Sequence, residues 1–245
     1  MSNIAELRSL NGLNHGIHKH WIWGDKDNFY LSCDYLQKVN FCIQDLNAEI
    51  YNLQTPSMKE VVYIIALVDW VCEAVDSIHA ILKKEVIDYL NLEVDADCKQ
   101  AKKYFKAIRS FVVAHPLNTT HHKAYGMDGD LICVDVRNRT SKLTETCSNL
   151  NDWLLLNLDG LKENAQGIQS DFILYVYSQR LDKMRYFKYI RANFSDLYYV
   201  LRHGLAATQA LLDCLFKSRD FGGKLGLLLF ILSVQGGISA VRQLA

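Results

Sequence analysis

The 245-residue chain has no net charge, since 27 lysines and arginines balance 27 aspartates and glutamates. Without an overall positive field, any attraction to nucleic acid has to come from local patches, and a general nucleic-acid coat protein is disfavoured. Cysteine pairing is missing too. The seven cysteines (33, 42, 72, 98, 133, 147 and 214) are odd in number, scattered and never spaced Cys-x-x-Cys. That pattern argues against a disulfide framework or a zinc knuckle and fits reduced thiols in a cytoplasmic protein. Residues Met1–Arg8 carry no positive-then-apolar leader, so secretion is not expected. The apolar run Leu225–Val234 spans ten residues, too few to cross a bilayer, and is expected to be a core helix or an oligomer contact. No membrane partner is therefore expected. No internal repeat, low-complexity tract or proline- or glycine-rich linker divides the chain, which reads as one compact unit.

What is present is a large apolar fraction, 50% of the residues, ample for a core. Residues 1–27 lack periodicity and are expected to form a docked arm or loop. Their histidines, His15, His18 and His20, do not have a recognised zinc spacing. From Asn28 to Gln54, apolar residues recur in steps of three and four (Leu31, Tyr35, Val39, Cys42, Ile43, Leu46, Ile50) and predict an amphipathic helix ended by Thr55-Pro56. Ser57 and Glu60 have capping-box spacing. They open a long helix whose buried side carries Val61, Ile64, Ile65, Val68, Val71, Cys72, Val75, Ile78, Ile81 and Leu82. A third helix, Asp97–Ala114, is expected to bury Ala101, Tyr104, Phe105, Ile108 and Val112. Its Lys102, Lys106 and Arg109 then share one basic face. Beyond Pro116, Asp128-Gly129 followed by alternating Ile132, Val134 and Val136 predicts a hairpin, and Trp153–Leu158 and Phe172–Ser178 are strand-like. Helical spacing returns over Phe194–Lys217, with a final helix expected over Lys224–Leu244. The fold class is thus mainly α, with a small β insertion at 121–178 between a helical core at 28–120 and C-terminal helices at 179–245.

The segment Arg109-Ser-Phe-Val-Val-Ala-His115-Pro116 carries the sharpest chemistry. A histidine titrates near neutral pH and can take or give the proton of a ribose 2′-hydroxyl. A guanidinium can clamp the phosphate on which charge accumulates. Six residues on a continuous helix separate two side chains by about 120° in azimuth, so a shared face requires a break. Pro116 supplies one by pushing His115 out of helical geometry, or two copies of the chain meet around one cleft. The basic stripe before Arg109 and the polar residues Asn118, Thr119, Thr120, His121 and His122 after His115 distinguish this pair from Arg8 and His15. Those two have similar spacing but lie in the aperiodic arm.

With these residues in view, the segment resembles the HEPN family of compact helical domains marked by Arg-x4-6-His, many of them bacterial ribonuclease toxins or antiviral effectors. The resemblance covers about Asn28–Thr120. It implies that His115 would activate the 2′-hydroxyl or protonate the leaving 5′-oxygen, that Arg109 would stabilise the phosphorane, and that no metal or other cofactor is needed. It also implies a homodimer with both pairs facing one cleft. Ser110 stands where many members have Asn or Asp. Leu117 stands where members modified by a nucleotidyltransferase carry tyrosine, so that regulation is not implied. On this reading RNA is the substrate and an antitoxin or regulatory protein is a candidate partner. Lys102, Lys106, Ser110, Asn118, His121, His122, Arg185 and Lys188 would then contact RNA.

Plainer roles stand beside these. Arg109 fits a helix-terminal cation favoured by the dipole, and His115 a loop histidine bonded to backbone. Asp69, Glu73 and Asp76 form a carboxylate row that suits a solvated face, or a partner for the basic stripe, better than a metal cage. Arg180, Lys183, Arg185, Lys188 and Arg191, interleaved with Tyr186, Phe187 and Tyr189, suit single-stranded RNA. They suit still better a helix edge with its aromatics inward. The rival function class is a non-catalytic helical module that binds a nucleotide or a protein partner.

Overall fold

The computed structural model describes residues 4–10, 26–86, 96–114, 131–136, 170–177 and 187–220. Among them the chain is mainly helical, with one small antiparallel sheet. Helix α1 spans Lys26–Glu49 and passes into a 3-10 turn, Ile50–Gln54; α2 spans Met58–Val86. Helix α3 spans Ala96–Arg109 and continues as a π-helical segment, Ser110–Ala114. Strands β1 (Leu131–Asp135), β2 (Phe172–Tyr177) and β3 (Phe187–Ala192) lead into helix α4, Phe194–Asp220.

The chain groups into two compact units, each assembled from three separated stretches, so no single cut divides them. The first holds 1–7, 44–70 and 94–202; the second holds 8–43, 71–93 and 203–245.

In the first unit, helix α2 begins as its sequence predicts. Ser57 donates its backbone N–H to Glu60 Oε2 at 2.7 Å and also its hydroxyl to that carboxylate, while Ser57 Oγ accepts the Lys59 N–H at 3.2 Å. These bonds occupy amide donors that a helix start leaves without intrahelical partners. The core gathers Val61, Ile64, Ile65, Leu67 and Val68 with Tyr104, Phe105, Ala107, Ile108, Phe172, Phe194 and Tyr198, all buried. Two tyrosine hydroxyls are paired inside that apolar mass. Tyr198 donates its hydroxyl to the Leu46 carbonyl at 2.6 Å, in the last turn of α1. Tyr104 donates to Asp196 Oδ2 at 3.3 Å. Burial raises the Tyr104 hydroxyl well above the usual tyrosine range, and the Asp196 charge adds to the effect.

The sheet has the order β1-β2-β3, with Leu131 opposite Tyr177, Asp135 opposite Ile173, Phe172 opposite Ala192 and Tyr177 opposite Phe187. Asp171 ties it to α4: its N–H is donated to the Ala192 carbonyl at 3.2 Å, and its Oδ2 accepts the Phe194 N–H at 2.8 Å. A carboxylate so placed serves as a borrowed N-cap. Strand β1 also packs against the π-helical segment, which fixes one side of the segment that carries the candidate site.

In the second unit, Leu36, Val39, Ile43, Val71, Val75, Ile78, Leu205 and Leu212 are buried. His79 Nε2 lies 3.0 Å from Thr208 Oγ1, which also lies 2.9 Å from the Gly204 carbonyl it can donate to. The Leu10 N–H is donated to Asn40 Oδ1 at 2.6 Å.

The strand after Asp128-Gly129 forms and pairs with β2, and the residues before that turn lie outside the described residues. Two other sequence expectations need correction. The aromatic and basic stretch around Phe187–Arg191 is strand β3, not a helix edge, because cross-strand pairing with β2 overrides its ambiguous period. The α1 stripe differs at its start, where Leu31 is exposed and Ser32 and Leu36 are buried, while Val39, Cys42, Ile43 and Leu46 are buried as expected. The strand expected at Trp153–Leu158, the helix at Lys224–Leu244 and the apolar run Leu225–Val234 lie outside the described residues.

Candidate functional site

Helix α3 presents Arg109 at its last position because its opposite side is committed to the core through Tyr104, Phe105, Ala107 and Ile108. That apolar spacing leaves Lys102 half-buried, Lys106 exposed and Arg109 partly exposed on the remaining face. The expected basic edge is therefore present, and cations in the last turn suit the negative end of the helix dipole.

Arg109 is held from helix α2. Its Nε donates to Asp69 Oδ2 at 2.9 Å, with the arginine side chain 38% exposed and the aspartate 18%. The row Asp69, Glu73 and Asp76 was expected to offer a partner to the basic stripe, and Asp69 supplies it. The anchor is stiff because Leu67, Val68 and Val71 around Asp69 are buried. A guanidinium carries five N–H donors, four of them on the two Nη atoms.

Immediately after Arg109 the helix widens into the π-helical segment, where Ser110, Phe111 and Val112 are all buried and Val113 is exposed. Segments of this type are rare and concentrate at functional sites. Ser110, expected to touch RNA, is only 6% exposed, because the wide turn directs it inward; it is not on the face Arg109 occupies.

The other expected site residues are placed unevenly. His115, Asn118, His121, His122 and Arg185 lie outside the described residues. Lys188 sits in β3 opposite Val176, and Arg191 is opposite Ile173. The π-helical segment and the exposed Trp70 beside Asp69 were not anticipated. A break in the helical hydrophobic pattern, three successive inward residues at 110–112, was the available sign of the first. Among the described residues no group of three or more His, Cys, Asp or Glu could hold a metal ion, and no helix is long and apolar enough to cross a membrane. No family model, curated protein or solved structure matches the chain.

Proposed function

We propose that the chain is a metal-independent endoribonuclease of HEPN type, acting on single-stranded RNA as a toxin or phage-defence effector in the cytoplasm. The observation that carries the reading is Arg109 itself: a partly exposed guanidinium that ends a basic helical edge, is fixed by one acid, and is followed by a π-helical segment leading to His115. In the proposed reaction the 2′-oxygen bonds to phosphorus while the bond to the 5′-oxygen breaks, giving a 2′,3′-cyclic phosphate and a 5′-hydroxyl. One imidazole takes the 2′-hydroxyl proton and another proton reaches the leaving oxygen; His115 from each of two copies would provide both roles. Arg109 would offset the charge on the phosphorane.

A second reading rests on the same ion pair. An arginine already matched by Asp69 is what a structural latch between two helices requires, and the surface would then serve a non-catalytic helical interaction or nucleotide-binding module.

Purified protein in chelator, incubated with labelled single-stranded RNA, is expected to yield cyclic-phosphate ends. Arg109→Ala and His115→Ala are each expected to abolish cleavage while far-ultraviolet circular dichroism and thermal midpoint stay near those of the parent. Cleavage surviving in both variants would assign the activity elsewhere and leave the interaction module as the better reading.

A further inference from the structure

Resting on the ribonuclease reading of Arg109, we propose that Asp69 is a positioning residue for the reaction: it orients the guanidinium so that the Nη edge, rather than the Nε edge, meets the RNA phosphate. The argument begins with geometry. Asp69 Oδ2 engages Nε at 2.9 Å, and Nε lies on the flank of the planar guanidinium. A carboxylate on that flank restricts rotation of the plane about the long side-chain axis. With Nε engaged by Asp69, the distal Nη1/Nη2 edge is the one left for two parallel bonds with phosphate oxygens.

The surroundings make Asp69 an effective guide. It is the more enclosed member of the pair, at 18% against 38%, and it stands on a helix turn whose neighbours Leu67, Val68 and Val71 are packed into the core. Arg109, by contrast, ends helix α3, where the next residues adopt the wider π geometry and hold their own side chains differently. A long arginine at such a junction has several rotamers of similar energy, and an external acceptor is what selects one. Exposure also matters. A partly exposed ion pair is screened by solvent and stabilises a fold modestly, so orientation of the guanidinium is the larger effect of this one.

Orientation and charge neutralisation predict different behaviour on substitution. If Asp69 only balanced charge, removing it would strengthen RNA binding. If it orients Arg109, removing it leaves binding nearly intact and impairs the chemical step, because misplacement of a catalytic group by about 1 Å costs on the order of 100-fold in rate.

The test uses the full chain in chelator, with turnover on a short single-stranded RNA and binding to the same oligomer carrying 2′-O-methyl groups, which cannot react. Asp69→Ala is expected to lower kcat by about 10- to 100-fold with little change in KM or in affinity for the 2′-O-methyl oligomer. Asp69→Asn keeps an oxygen that accepts from Nε and is expected to restore most of that loss. Asp69→Leu, near in volume but without an acceptor, is measured in parallel and is expected to match Asp69→Ala. The proposal is overturned if either non-accepting variant turns over like the parent, if the loss is entirely one of binding, or if Asp69→Asn is as impaired as Asp69→Ala. Unfolding of both non-accepting variants would make Asp69 a structural residue and overturn it equally. A parent protein that does not cleave removes the ribonuclease reading itself, an outcome distinct from an Asp69 variant that cleaves normally.

Discussion

Asn47 grips the backbone of Leu7 with both halves of its amide: Oδ1 accepts the Leu7 N–H at 2.8 Å and Nδ2 donates to the Leu7 carbonyl at 2.9 Å. The side chain thus satisfies both backbone groups of a residue that, among the described residues, belongs to no helix or strand. Asn47→Ala is expected to cost about 1–3 kcal/mol through the two backbone groups it strands. Asn47→Asp keeps the acceptor but sets an oxygen against the carbonyl, so it should not rescue. Hydrogen exchange at the Leu7 amide checks both, and unchanged protection in Asn47→Ala would contradict this role.

The buried tyrosines predict loss of stability in alkali. Burial raises the hydroxyl of Tyr104, with Asp196 adding to the effect, and burial likewise raises Tyr198, with a contribution from Glu49. A group whose folded value exceeds its unfolded value stabilises fully below the unfolded value and loses that contribution as pH rises through the folded one. The decline should therefore begin above about pH 10, the ordinary tyrosine value. Urea midpoints measured across that range should fall in the parent, and the slope should be shallower in Tyr198→Phe. At neutral pH that variant should lose about 1 kcal/mol for the missing bond to the Leu46 carbonyl.

The start of helix α2 responds in the opposite direction. The Ser57 hydroxyl and N–H lower the Glu60 carboxyl below its ordinary range. Its contribution is accordingly complete above the unfolded carboxylate value, near pH 4.3, and disappears as pH falls through the lower folded value. Ser57→Ala should return Glu60 toward the ordinary value, read by carboxyl carbon NMR, and should destabilise the helix start by about 1 kcal/mol at neutral pH. An unshifted Glu60 resonance in that variant would dissociate the two residues.

Gly204 offers a stabilising substitution. A Cβ built there meets nothing nearer than Val75 Cγ1 at 3.8 Å, an ordinary contact distance. Gly204→Ala should therefore raise stability by about 0.5–1 kcal/mol, since glycine inside a helix costs backbone entropy. Calorimetry showing a lower midpoint would mean that the helix needs closer approach than this spacing indicates.

Much of the helical architecture was legible because its determinants are local. The Ser57 and Glu60 spacing marked the start of α2, and the stripe from Val61 to Ile81 recurs at the helical period and is buried almost throughout. The sheet was less legible because pairing is not local. Asp128-Gly129 invites a short hairpin, yet Ile132 lies opposite Val176, a partner the intervening sequence does not announce. Around β3, Phe187, Tyr189 and Arg191 alternate with Lys188, Ile190 and Ala192, so cations and apolar residues occur on both faces and neither period dominates. At the candidate site, the basic edge followed from Lys102, Lys106 and Arg109. The choice of Asp69 from three acids depends on how α2 and α3 pack, which no single helix encodes.

The wide turn after Arg109 acts as a phase shifter. Each residue from Ser110 to Ala114 advances through less than the ~100° of an ordinary α-helical step, so Ala114 stands at a bearing from Arg109 that an unbroken α-helix would not give it. Tightening that one coil toward an ordinary α-helix, by deleting either Val112 or Val113, would reset the bearing of Ala114 relative to Arg109 without altering a single charged group. Such a deletion turns the exit direction of the helix into an adjustable quantity.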